Sequence, residues 1–360
     1  MAYRAARTAE APAPAPDFAW SHPAAGLRAV AFGEQERREG SSLREVLARL
    51  EGGPWFGAAA FDPSQPCWNG FPPMRFVRPA RLVWNEPAPP PARPAAARVV
   101  QRPGERERWT ALVQRALAEI EGGSLDKLVL ARAIEVEADE EIDCAALLRA
   151  LESRYPACRT FLVRGEGAVF LGATPELLCR VEGGRVFAEA VAGSSRPGEG
   201  DRLLASRKEL REHRWVVDHM LRALSGVAEE VRCPPDPLVR ELANIAHLHT
   251  PIEARLLPGR GIADVAAALH PTPAVLGVPG DAALRFLRAH EQLDRGLYAG
   301  LVGWISPERS ELAVALRCAL VRGRRARLFV GAGIVEGSSP EAEWEETELK
   351  ARALLEALGA

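Results

Sequence analysis

The sequence predicts an α+β fold, with a sheet core covered by helices. Two observations lead there. Strand-like segments come in runs and do not alternate strictly with helical ones, the pattern of sheets with segregated helices. Of the 360 residues, 47% are apolar, enough to bury a sizeable core. At ~150 residues per domain the length suits two domains or one large one.

The elements follow in order. Residues 1–100 are uneven, with short apolar runs ("LRAVAFG", "WFGAAAFD", "FVRPARLVW") between Pro and Gly breaks. They read as strands and loops without a chemical motif. "NEPAPPPARPAAAR" (85–98) reads as an extended Pro/Ala linker. Beyond it the pattern is regular. Trp109, Leu112, Val113, Leu117 and Ile120 outline an amphipathic helix closed by Gly122 and Gly123. "KLVLARAIEVE" (127–137) is a strand, followed by "TFLVR", "AVFLGAT" and the hairpin "LLCRVEGGRVFAEAV", which turns at Gly183 and Gly184. A long helix starts at Ser206, with Glu209 at the capping-box position. Strands "GLVGWIS", "ELAVALRCALV" and "RLFVGAGIV" precede a terminal helix. No internal repeat is present.

Composition excludes several functions. A net charge of −2 argues against nucleic-acid or polybasic membrane binding. The six cysteines (Cys67, Cys144, Cys158, Cys179, Cys233, Cys318) are scattered without a C-x-x-C pair, so they read as reduced core thiols, not a disulfide frame or zinc site. No stretch approaches the ~18 apolar residues of a membrane span, and the first twenty residues lack a signal-like apolar core. A soluble, cytoplasmic protein is expected. Lysine and arginine total 46, yet only Lys127, Lys208 and Lys350 are lysines. Arginine supplies the generic charge here, which makes each lysine worth placing.

The terminal helix carries "EAEWEETELK" (341–350), with five glutamates. Successive helical residues sit about 100° apart, so the run divides into faces. Glu341, Glu345, Glu348, Arg352 and Glu356 share the wet face, with Glu348 and Arg352 spaced for an i, i+4 pair. Trp344, Thr347, Ala351, Leu354 and Leu358 form the apolar stripe. Glu343, Glu346 and Lys350 point a third way, where a charge needs a partner. On the long helix, Arg211, Asp218, Arg222 and Glu229 make the wet face, and Leu210, Val217, Met220 and Leu224 the core stripe. Glu212 belongs to neither. Carboxylates from two helices suit Mg²⁺, a hard ion held by few protein oxygens. A buried Glu346–Lys350 ion pair explains the same face equally well.

Two other motifs are weaker. "HLHT" (247–250) places His247 and His249 on one strand face, a possible zinc pair, but no third ligand accompanies them. Hydrogen-bonding histidines are the better reading. "GAGIVEG" (331–337) lacks dinucleotide-site spacing, though its backbone N–H groups could meet an anion.

Nine blocks in order across residues ~120–358 make the sequence recognisable: "DKLVLARA", "FLGATPELLCR", "AVAGSSRPG", "SRKELREHRWVV", "IAHLHTPI", "LHPTPAVLGVP", "RGLYAGLVGW", "VALRCAL" and "FVGAGIVEGSSPEAEWEETELK". This segment resembles the chorismate-utilising enzymes, which include isochorismate, salicylate, anthranilate and aminodeoxychorismate synthases. Lys127 in "DKLVLAR" is similar to the water-using isochorismate and salicylate synthases, where ammonia-using members carry glutamine. Ala192 stands where aminodeoxychorismate synthases have lysine. Departures from the family pattern are mild: Thr174, Val191, Ser194, Leu276 and Ala254.

The resemblance implies a large two-sheet antiparallel sandwich flanked by helices, with the site between the sheets. Residues 1–360 would form a single chorismate-binding domain, with 1–100 completing the sandwich and 101–360 bearing the motifs. It implies Lys127 as base, Glu176 as acid, and Mg²⁺ held by Glu212 and Glu346 with Glu343 close by. Gly193, Ser194, Arg317, Gly331 and Lys350 would hold the substrate carboxylates, with His247 and Tyr298 lining the pocket. The implied activity is isochorismate synthase, serving menaquinone or siderophore synthesis, in a monomer that needs no glutaminase subunit. A salicylate synthase, which goes on to eliminate pyruvate, is the nearer alternative; a non-catalytic chorismate-binding protein is the more distant one.

Overall fold

The computed structural model describes residues 15–86, 96–243 and 245–360. The N-terminal elements are β1 (Phe18–His22), β2 (Leu27–Glu39), α1 (Leu43–Ala48), β3 (Trp55–Ala59), β4 (Met74–Trp84) and β5 (Ala97–Val100). Then come α2 (Glu105–Glu121), β6 (Lys127–Ala138), α3 (Cys144–Arg154), β7 (Arg159–Gly165), β8 (Ala168–Thr174), β9 (Leu177–Glu182) and β10 (Arg185–Ser195). The middle holds α4 (Gly200–Ala205), α5 (Arg207–Ser225), β11 (Ala228–Arg232), β12 (Leu238–Glu241), β13 (Ala246–Leu256) and α6 (Ile262–Leu269). The chain closes with β14 (Gly277–Val278), α7 (Gly280–His290), β15 (Leu301–Ile305), β16 (Arg309–Val314), β17 (Cys318–Arg322), β18 (Arg325–Val335) and α8 (Pro340–Leu358).

Every strand pairing among the described residues is antiparallel, and the pairings trace two sheets. In the first, β13 carries β11 and β12 on one edge. It then leads through β10, β9, β16, β15 and β3 to β4. In the second, β2 leads through β1, β7, β8, β17 and β18 to β6, whose outer edge bears β5 and β14. The long strands β2 and β4 pair with each other and join the two sheets. This is the α+β class that the sequence pattern predicts, in the two-sheet antiparallel arrangement that the family resemblance implies.

The N-terminal strands sit inside both sheets: β1 pairs with β7, and β3 with β15. Of the 85–98 stretch, residues 87–95 lie outside the described residues. Ala97 and Arg98 are already strand, facing Ala138 and Glu137, so the expected linker is too long at that end.

The main core gathers large side chains from both sheets, among them Trp20, Trp55, Phe56, Phe161, Phe170 and Phe329. A second cluster packs α3 and α8 against the outer face of the second sheet, through Leu147, Leu151, Leu171, Leu328 and Leu354. Fully burying one such side chain is worth about 1.5–3 kcal/mol. Thr347, Ala351, Leu354 and Leu358 are buried as the apolar stripe requires. All six cysteines are free thiols, but only Cys158, Cys179 and Cys318 are buried; Cys67, Cys144 and Cys233 are partly exposed, not core as expected.

Two local expectations need correction. "ELAVALRCALV" is not one strand: it breaks at Ala315–Arg317 into β16 and β17, and Arg317 takes a left-handed φ of 48°. Glu229 lies in β11 rather than on the wet face of α5, because the helix ends at Gly226.

Candidate active site

The two sheets face each other across a cleft open to solvent. One wall is β10 and β13, which present Gly193, Ser194 and His247; the other is β18 with Val129 of β6. Ten of the twelve predicted site residues line it: Glu176, Gly193, Ser194, Glu212, His247, Tyr298, Arg317, Gly331, Glu346 and Lys350. Lys127 and Glu343 stand behind the wall, with 0% and 2% of their surface exposed.

Local backbone explains much of this convergence. Glu176 sits between β8 and β9, where the Thr174 hydroxyl accepts the Glu176 N–H (3.2 Å) and donates to Val314 O (2.6 Å). Arg240 donates to the carbonyl of neighbouring Pro175. Arg317 reaches the cleft through the strand break: its left-handed φ, costly for a residue with a Cβ, turns the guanidinium inward. The bare faces of Gly331 and Gly333 matter too. A Cβ at Gly331 would lie 2.7 Å from the Tyr298 hydroxyl, and one at Gly333 would lie 2.5 Å from Glu212 Oε1.

All three lysines meet a predicted metal carboxylate. Lys127 Nζ lies 2.9 Å from Glu212 Oε1, Lys208 Nζ 3.0 Å from Glu343 Oε1, and Lys350 Nζ 2.5 Å from Glu346 Oε1. The Glu346–Lys350 ion pair that the helix face allows is therefore present, and Lys350 also donates to Gly331 O at 2.9 Å. The Lys127 contact is close but off the hydrogen-bond line, which leaves Nζ without a hydrogen-bond acceptor.

Burial and like charge set the protonation of the site. Burial pushes the Glu176 carboxyl up to about 8, against the opposing pull of Lys127. Burial, then Glu212 and Glu346, raise Glu209 to about 7. Burial and Glu346 raise Glu343, which Lys208 only partly offsets. Burial also opposes the charge on Glu346, yet Lys350 holds that carboxyl below its usual range. His247 is driven down to about 3 by burial and by Arg317, so it is neutral. Its Nε2 accepts from Arg317 (3.2 Å) and its Nδ1–H donates to Gly193 O (2.9 Å). His249 bonds to Arg240 instead. The two histidines are hydrogen-bonding groups, as read from the sequence.

The donor set fits a hard divalent cation. Glu209, Glu212, Glu343 and Glu346 offer only carboxylate oxygens, and such an ion would offset the repulsion that raises Glu209 and Glu343. No three acidic, histidine or cysteine side chains among the described residues converge on one metal position; Glu212, Glu343 and Glu346 each meet a lysine.

Sequence reasoning misses Glu209 and Lys208. Ser206 does cap α5 by accepting the Glu209 N–H, but the Glu209 side chain turns to Gly193, where an added Cβ would lie 2.9 Å from its Oε2. The available signal is its i, i+3 spacing to Glu212, which puts both on one helix face. Glu348 also departs from expectation: it pairs with buried Arg132 rather than Arg352.

A family model described as chorismate binding enzyme matches residues 80–359. The isochorismate synthase EntC of Escherichia coli K12 is 37% identical over 322 residues, which covers 84% of this chain and 80% of that protein. The vibriobactin-specific isochorismate synthase of Vibrio cholerae is 35% identical over 321 residues, covering 84% and 79%. The solved structure of MenF, the menaquinone-specific isochorismate synthase of E. coli, has a TM-score of 0.81 at 28% identity, covering 96% of this chain and 89% of that one.

Proposed function

The chain belongs to the chorismate-binding enzyme family, and from that premise we propose that it is an isochorismate synthase, an isomerase converting chorismate to isochorismate. One observation carries the reading: a wholly buried strand lysine, Lys127, and a carboxylic acid held protonated at neutral pH, Glu176, flank one cleft that also holds Arg317 and Lys350.

Chorismate is a dicarboxylate whose ring hydroxyl must leave as water adds elsewhere on the diene. Hydroxide leaves poorly and water attacks poorly, so the reaction needs an acid and a base. Glu176, neutral at pH 7, donates its proton to the departing hydroxyl. Lys127 takes the proton of the incoming water. The 2.9 Å contact with Glu212 holds its amine beside a proposed metal ligand. Arg317 and Lys350 hold the substrate carboxylates, and neutral His247 orients Arg317 by accepting its N–H. Tyr298 keeps its proton, because burial raises its hydroxyl well above the usual range. Glu212 and Glu346, with Glu209 and Glu343 beside them, would hold Mg²⁺, which supplies positive charge to the substrate carboxylate.

Residues 1–360 work as one catalytic unit in this reading, supported by the N-terminal strands lying inside both sheets. The product feeds menaquinone or a siderophore, and no glutaminase subunit is needed. No helix among the described residues is long and apolar enough to cross a membrane; we place the protein in the cytoplasm as a monomer.

The test is incubation of the pure protein with chorismate and Mg²⁺ in isotopically labelled water. Label in the new hydroxyl of isochorismate is expected. Pyruvate release in step with salicylate would move the assignment to salicylate synthase, and an aminated product from added ammonium would overturn it.

A further inference from the structure

Strand β6 brings Val129 to the cleft and Lys127 behind its wall, yet its outer edge is covered only in part. β14 pairs with Lys127 and Leu128, and β5 pairs with Glu135 to Ala138. Between them the carbonyl of Val129 and the amide of Ala131 lie on buried residues with no strand to receive them, and a buried backbone group needs a partner.

Two side chains supply it. Glu291, the residue that ends α7, accepts the Ala131 N–H at 2.8 Å. Arg295 donates to Val129 O at 2.7 Å and to Val275 O at 3.0 Å. The two lock to each other through a bidentate fork at 2.6 and 2.7 Å, with side chains 5% and 3% exposed. The Arg295 carbonyl also accepts the Tyr298 N–H at 2.8 Å. Val129, Val275 and Tyr298 all line the cleft. Thus one ion pair is bonded to three separate parts of its wall.

We propose that Arg295 and Glu291 are positioning residues for the reaction: their pair stands in for the missing strand at the β6 edge and so fixes Lys127 from behind. The proposal rests on Lys127 being the base. Neither residue touches the cleft, and their effect passes through β6. Lysine cannot replace Arg295, because a single ammonium lacks the planar fork that spans a carboxylate and two carbonyls. A second cavity is lined by Asp62, Arg288, Asp294 and both members of the pair, which gives small solutes a route to it.

The test uses the full chain with Mg²⁺ and compares the parent with Arg295→Ala, Arg295→Lys, Glu291→Gln and Lys127→Ala. Melting, steady-state kinetics and hydrogen exchange at the Ala131 amide are measured for each. Arg295→Ala should lower kcat by roughly ten- to a hundredfold, the cost of a small misplacement of a reacting group. KM should stay within about threefold, because Arg317 and Lys350 are untouched. Millimolar guanidinium should restore part of kcat in Arg295→Ala but none in Lys127→Ala. Ala131 should exchange faster in the Arg295 and Glu291 variants only. If Arg295→Ala does not fold, Arg295→Lys and Glu291→Gln carry the same comparison. A folded variant with kcat within about twofold of the parent overturns the proposal, as does a loss that falls equally on KM. A parent that makes no isochorismate overturns the functional reading instead, and Lys127→Ala with full turnover removes the base on which the positioning claim depends.

Discussion

Lys127 Nζ, behind the wall of the cleft and without access to solvent, lies 2.9 Å from Glu212 Oε1. The pair holds the proposed base next to a proposed metal ligand, so a change at Glu212 bears on both. Glu212→Gln should weaken Mg²⁺ binding, read by calorimetry, by at least the roughly tenfold that an outer-shell partner is worth. The variant should stay folded but melt lower, since a buried cation loses its counter-charge. Glu345→Gln, on the exposed face of the terminal helix, should do neither. Equal damage from Glu345→Gln would mean that the helix faces are assigned wrongly.

Lys127→Arg separates charge from basicity. Guanidinium keeps its proton at any working pH, so it can pair with Glu212 but cannot accept a proton from water. We expect a folded protein that binds chorismate in equilibrium dialysis and forms no isochorismate. Near-normal turnover would take lysine out of the base role.

The raised carboxyl of Glu176 gives two pH signatures. Activity needs the protonated form, so kcat should fall as pH rises past about 8, and Glu176→Gln should be almost inactive at every pH. Stability follows the same group. A carboxyl whose folded pKa lies above its unfolded value favours the folded state while protonated. Its contribution is complete below the unfolded pKa and is lost as pH rises through the folded value. Glu176→Gln should therefore gain stability relative to the parent between about pH 5 and pH 8. Parallel melting curves for the two proteins across that range would contradict the raised pKa.

Regular helices are the most legible part of this sequence, and irregular backbone is the least. The 100° rule separates Glu346 from Glu345 correctly because α8 is regular and its apolar stripe is unambiguous. Glu209 escapes because its capping-box position supplies a sufficient local explanation, while its side chain serves a partner that only tertiary structure brings near. The turn at Arg317 has no Gly or Pro to mark it, so "ELAVALRCALV" reads as continuous strand and the cause of Arg317's inward aim stays hidden. The Arg295–Glu291 fork is visible in sequence only as an i, i+4 pair near a helix end. Its role as a substitute strand depends on where β5 and β14 stop.

The pairing of every lysine with a glutamate around one cleft has an analytical consequence. Amine-directed chemistry, which on most proteins scatters over many lysines, meets only three side chains here besides the α-amino group, each paired with a glutamate. Lys208 is about one-third exposed, Lys350 half as much, and Lys127 not at all, so acylating reagents should modify them in that order. Reductive methylation with a labelled carbon would give three side-chain signals, each reporting on one glutamate of the cluster.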